Sequence, residues 1–115
     1  MDVREGRIGN FLALGAITAR RFVKATANRD QAAPCGADEA AMGVSKEAVV
    51  NGAEVEVVMS DEAIVEAGAA IAVNGLVRSN AAGKAIPATP GTHDVLGVAQ
   101  SPSTGDGVNF IVKLR

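Results

Sequence analysis

Cys35 and His93 are the only cysteine and the only histidine in the 115-residue chain. A lone histidine leaves no His-based metal cluster to assemble. Asp94 beside it would orient His93 as a base, but no nucleophile stands at a spacing that completes such a set. His93 follows the loop at 87–92 and reads as an ordinary loop residue. Glu54 and Glu56 fall on one face of an alternating segment, as a catalytic carboxylate pair would. No pocket-forming residues nearby would raise the pKa of either, so the pair reads as a solvated face. Asp38-Glu39 and Asp61-Glu62 lack the spacing of a calcium loop. Gly105-Asp106-Gly107 lacks the GxGxxG spacing, the following helix and the lysine of a phosphate loop, and a hairpin turn accounts for it better. The expectation is therefore no enzyme, no cofactor and no metal.

A single cysteine excludes an internal disulfide framework and any CxxC site. Cys35 sits in Ala-Pro-Cys-Gly, a turn-like setting that reads as exposed. It is either a passive small residue or a crosslink between neighbouring copies, and the sequence leaves both readings open.

Charge adds a direction. Residues 1–30 carry six Arg/Lys against three Asp/Glu, and the remainder five against ten, for a net charge of -2. The basic leading segment is either ordinary solvated charge or an arm that reaches an acidic partner. Arg20-Arg21 with Lys24 and Arg29 is the only basic cluster. Without interleaved aromatics and in an acidic whole, it does not predict nucleic-acid binding.

The elements that position these residues are strands. An internal echo organises them: MGVSKEAVVNGAEVEV at 42–57 recurs loosely as LGVAQSPSTGDGVNFIV at 96–112. Each copy runs aliphatic-Gly-Val, then a glycine loop, then an alternating strand, which argues for a β-rich building block used twice. The chain is long enough for one core. Its apolar residues are mostly Ala and Val, with no Trp or Tyr and only Phe11, Phe22 and Phe110 as aromatics, so the core is thin. Thirteen glycines and many valines favour strands and turns.

Along the chain, 1–15 holds no period of 2 or 3.6 and reads as an arm. ITARRFVK at 17–24 suits a strand at an edge or interface, with Ile17, Arg21 and Val23 on one face. Residues 25–40, small, polar and broken by Pro34 and Gly36, read as a long loop. Strands follow at 54–59, 63–67, about 84–87, 94–100 and 107–114, with turns at Ser60-Asp61, Asn74-Gly75 and 80–83. Eight or so short strands predict an all-β domain at 16–115, a small barrel or sandwich of the β-tulip or β-clip kind, behind the extended N-terminal arm. FLALGAITA at 11–19 lacks the clearly positive flank of a signal peptide and is too short to span a bilayer, so no membrane partner is expected and the chain reads as soluble and unprocessed.

The succession Val65-Glu-Ala-Gly-Ala-Ala-Ile, Asn74-Gly-Leu-Val, Gly83-Lys-Ala, Val95-Leu-Gly-Val-Ala and Gly107-Val-Asn-Phe-Ile-Val resembles the small capsid decoration, or cement, proteins of tailed bacteriophages over roughly residues 40–114. The resemblance implies a Gly- and Ala-rich β domain made in the bacterial host cytoplasm. It implies a place on the outside of the mature head, as a homotrimer that clamps neighbouring subunits of the major capsid protein. The arm lies outside it. On physical grounds Arg4, Arg7, Phe11, Leu12 and Leu14, with Arg20 and Arg21, are the candidate capsid contacts, ordering against the shell by apolar burial and charge pairing. The other expectations are a small ligand- or glycan-binding module, for which three phenylalanines supply poor platforms, and a tail or baseplate component.

Overall fold

The alternation of Glu54 and Glu56 with Val55 and Val57 puts both carboxylates in solvent and both valines at 0% exposure. The same physics recurs along the chain. In the computed structural model, which describes residues 2–115, there are ten strands and no helix among the described residues. They are β1 (Ile8–Ala13), β2 (Phe22–Ala25), β3 (Gln31–Pro34), β4 (Gly43–Ser45), β5 (Glu54–Val58), β6 (Glu62–Glu66), β7 (Leu76–Ser79), β8 (Ala85–Pro87), β9 (Gly97–Ala99) and β10 (Asn109–Leu114).

The first five close into a barrel in the order β1-β3-β2-β4-β5, and the last five form a sheet in the order β6-β10-β9-β7-β8. These are one topology written twice. Antiparallel pairing puts Leu12 opposite Glu54 in the first and Glu66 opposite Asn109 in the second. Phe22 faces Val44 as Leu76 faces Val98, and Val44 faces Val58 as Val98 faces Lys113. Isolated bridges join Ile17 to Val49 and Ile71 to Ser103. Arg20 and Asn74, each just ahead of the second strand of its half, share a left-handed backbone at φ 61° and 69°. The echo of 42–57 in 96–112 is the most visible stretch of a repeat that spans the whole chain.

Burial follows the repeat. Inside the barrel lie Ala13, Ile17, Val23, Ala32, Val55 and Val57. Their equivalents Ala67, Ile71, Val77, Ala85, Phe110 and Val112 all belong to the second core. That second core is larger because it also takes in Phe22, Cys35, Val44 and Val58 from the first half. The two halves are thus one folding unit, since the second has no complete interior without the outer wall of the first. Gly43 and Gly97 hold equivalent places where strands press together. A methyl on Gly43 would run into the Val58 carbonyl oxygen, and one on Gly97 would lie 2.5 Å from that of Lys113.

Three expectations need correction. Residues 8–13 of the expected arm are β1, bonded to β5 on one side and β3 on the other. Residues 4–7 are tied alongside: the Arg7 N–H donates to Ser60 Oγ at 2.8 Å, and the Met59 N–H to the Arg7 carbonyl at 2.7 Å. The strand expected at 17–24 begins only at Phe22, because Arg20 turns the chain. Phe22 and Val23 are both at 0% exposure, one facing the second half and the other the barrel interior, while Lys24 beyond them is half-buried and paired with Glu39. The loop expected at 25–40 contains β3, which pairs with β2 through Val23 and Pro34, Lys24 and Ala33, and Ala25 and Ala32.

Candidate interaction surfaces

The seven expected contact residues separate into three groups. Arg4 and Arg7 have exposed side chains, and their backbones are fixed, with the Arg4 N–H donating to Glu62 Oε1 at 3.0 Å. Leu12 and Leu14 point outward from β1, 46% and 48% exposed, while Phe11 points the other way and packs against the barrel core. Arg20 and Arg21 lie at the junction of the halves. There Arg21 donates from Nε to Glu66 Oε1 at 3.1 Å and from Nη1 to the Ala82 carbonyl at 3.0 Å. Phe11 and Arg21 therefore serve the fold and are withdrawn as capsid contacts.

The Arg21 clamp explains why the second half stays open. In the barrel, β1 and β3 pair in parallel through Leu12 with Gln31 and Ala13 with Ala32. The equivalent β6 and β8 meet only at the bridge between Ala67 and Ala85. The gap is filled by the first half's backbone: the Glu66 N–H donates to the Arg20 carbonyl and the Phe22 N–H to the Gly83 carbonyl, both at 2.8 Å. Edge groups that would otherwise lack partners are satisfied. Glu66 Oε2 also lies 3.3 Å from Lys84 Nζ, and Lys84 Nζ 2.9 Å from Asp106 Oδ1. The hydrogen bond with Asp106 raises the Lys84 pKa and lowers that of Asp106.

Two surfaces remain apolar and open. One is a stripe on the barrel: Ile8, Leu12 and Leu14 on the outer face of β1, with Val50 72% exposed on the loop beyond. Glu54 and Glu56 stand beside it, opposite Leu12 and Asn10. The other is a groove of about 390 Å³ on the second half, walled by Leu76, Val95, Val98 and Leu114 and flanked by Lys113 and Arg115. Sequence reading named Leu12 and Leu14 but missed the groove, whose walls come from three separate stretches of the chain, at Leu76, at 95–98 and at Leu114.

Cys35 is 1% exposed, not on a surface, and its Sγ lies 3.6 and 3.5 Å from the Glu39 and Ala40 carbonyl oxygens. Burial raises its pKa, so the thiol stays neutral, and a crosslink between copies is withdrawn. His93 is a loop residue whose Nδ1 accepts the Thr89 N–H at 2.9 Å. Glu54 and Glu56 are exposed on β5. Glu39 is held below its ordinary pKa by its hydrogen bonds with Lys24 and the Gly36 N–H. Among the described residues no group of three or more acids, histidines or cysteines is gathered for a metal ion.

No protein-family model matches the chain, and no curated protein matches it in sequence. Among solved structures it is similar to the N base of head fiber gp8.5 in bacteriophage phi29, with a TM-score of 0.79 at 18% sequence identity. The match covers 95% of this chain and 93% of that one. At that identity the likeness shows a shared fold over nearly the full length of both.

Proposed function

We propose that the chain is a structural protein of a phage virion, held on the outer surface of the head, where it binds the major capsid protein as a homo-oligomer and does no catalysis. The observation that carries this reading is the fold shared with the base of a phage head fiber across 95% of the chain. Two surface features are compatible with it: apolar patches suited to protein contacts and exposed guanidinium groups on Arg4 and Arg7. In the finer form of the reading, a homotrimer spans neighbouring capsid subunits and stabilises the mature shell. Linked copies turn individually weak contacts into a tight clamp. A ligand that binds only the assembled surface stabilises it by mass action.

Quantitative mass spectrometry of purified virions tests the reading. A copy number comparable to that of the capsid protein supports a head-wide clamp, and a few tens of copies a fiber base. A handful of copies moves the chain to the tail or baseplate, and absence from the particle overturns the virion reading. Arg4→Glu with Arg7→Glu is expected to weaken head binding about tenfold or more, through lost charge steering and pairing, with unchanged circular dichroism.

A further inference from the structure

The repeat exposes on the second half a surface that the first half keeps covered. Phe22, Val44 and Val58 form one row across the outer wall of the barrel, at 0%, 1% and 1% exposure, because the second half lies on them. The equivalent row is Leu76, Val98 and Lys113. Leu76 and Val98 are only half-buried and Lys113 is exposed, and the three line the groove described above.

Within the chain, the strand of the second half that packs beside β4 is β6, fastened by Glu66 to Arg21. The equivalent of β6 is β1, whose outward Ile8, Leu12 and Leu14 carry the open stripe. The substitutions at these places are matched. Leu12 stands where β6 has Glu66, and Gly75 stands where the first half has Arg21, so neither member of the equivalent pair needs a counter-ion. The flanks are complementary as well. Glu54 and Glu56 border the stripe, Lys113 and Arg115 border the groove, and among the described residues none of the four has an ion-pair partner.

We propose that the chain binds a second copy of itself head to tail, with the outer face of β1 in one copy seated on the Leu76–Val98–Lys113 row of the next. Within the chain the matching row is covered by Ala63 and Val65 on the inner face of β6 and by Ala67 just beyond it. The equivalents of the last two, Phe11 and Ala13, face the barrel interior. The contact between copies is therefore a different one, formed by the two open apolar surfaces and their opposite charges. It is made by side chains, because the backbone of β1 is already bonded on both sides to β3 and β5. The stripe and the groove are different surfaces, so the interface is heterologous and closes into a ring of copies or runs on as a filament. This deepens the self-association in the proposed function and rests on that reading.

The test uses the full chain alone, by light scattering on a sizing column over a range of concentrations. The expected mass is a multiple of 11.6 kDa. Leu12→Asp and Val98→Asp are each expected to run as monomers with native circular dichroism. Mixed together they form a dimer, because one variant keeps the groove and the other the stripe. Where Val98→Asp fails to fold, Lys113→Glu with Arg115→Glu, both at exposed sites, takes its place. A wild-type chain that stays monomeric throughout overturns the proposal. So does a groove variant that still assembles, or a mixture that stays monomeric. No capsid takes part, so a negative result here leaves the virion reading to be decided by copy number.

Discussion

The two halves follow the same path with the same registers, yet one closes into a barrel and the other does not. In the first, β1 reaches β3 and seals an interior of Ala, Ile and Val. In the second, Phe110 stands where the first has Val55, and the outer wall of the barrel fills the remaining space. A repeat of about 55 residues buries only a marginal core alone. Opening one copy onto the other solves that, and it leaves one outer row buried and its equivalent exposed. The asymmetry between the two halves, more than the repeat itself, decides which apolar surfaces stay open.

Substitutions at equivalent positions sharpen the comparison. The largest effects come from charge in either interior: Val55→Asp and Phe110→Asp are each expected to destabilise the domain by about 4 kcal/mol or more. Cooperative denaturant unfolding of either variant with wild-type midpoint would show the strand faces to be wrong. Next are the truncations. Phe110→Ala should cost about 3–5 kcal/mol and Val55→Ala less, near 2, because the wider second core loses more volume. Equal losses would contradict the different filling of the two cores.

Gly43→Ala and Gly97→Ala are expected to destabilise by similar amounts, about 1–3 kcal/mol, since both methyls meet a strand carbonyl. A large loss at one and none at the other would break the equivalence. Smaller again is the junction. Arg21→Met removes two hydrogen bonds from a partly buried guanidinium and should cost about 1–2 kcal/mol. Leu12→Gln, at the position equivalent to Glu66, should stay within about 0.5 kcal/mol in the isolated chain. Thermal melts of both variants, run at one low concentration, provide the check.

The pH profile carries the smallest effect. Asp106 and Glu39 have lowered pKa values, so the stability they lend is present above the ordinary carboxylate range and is lost as pH falls through their lowered values. Lys84 is raised, so its share is present below the ordinary lysine value and is lost as pH rises through the raised one. A plateau from about pH 5 to 9 with a decline below about 4 is expected. Asp106→Asn should shrink the acid decline, and an unchanged profile would show that the Lys84 pair contributes nothing.

The sequence made the all-β class legible, along with β5 and β10 and the echo between 42–57 and 96–112, because strands exposed on one face keep a visible alternation. The rest of the repeat was hidden. Ala13 and Ala67, or Val23 and Val77, are matched by burial, and residues so common carry no signal in one sequence. The arm was misread because 1–15 shows no lasting period, and a glycine interrupts the alternation of β1. At Gly9 a methyl would lie 2.7 Å from the Phe11 ring and 3.0 Å from Met59 Sδ, so that glycine permits close packing in β1. Cys35 was misread because its burial depends on the second half, far along the chain. Of the candidate contacts, Leu12 and Leu14 hold their exposed place, whereas Phe11 and Arg21 were claimed by packing and charge that only the assembled fold reveals.

The most direct measurement of the virion reading is electron cryomicroscopy of phage heads that lack this chain, incubated with the purified protein. Ordered density of the chain at regular sites on the outer surface of the shell is the predicted result. Heads that remain bare at saturating protein would contradict it.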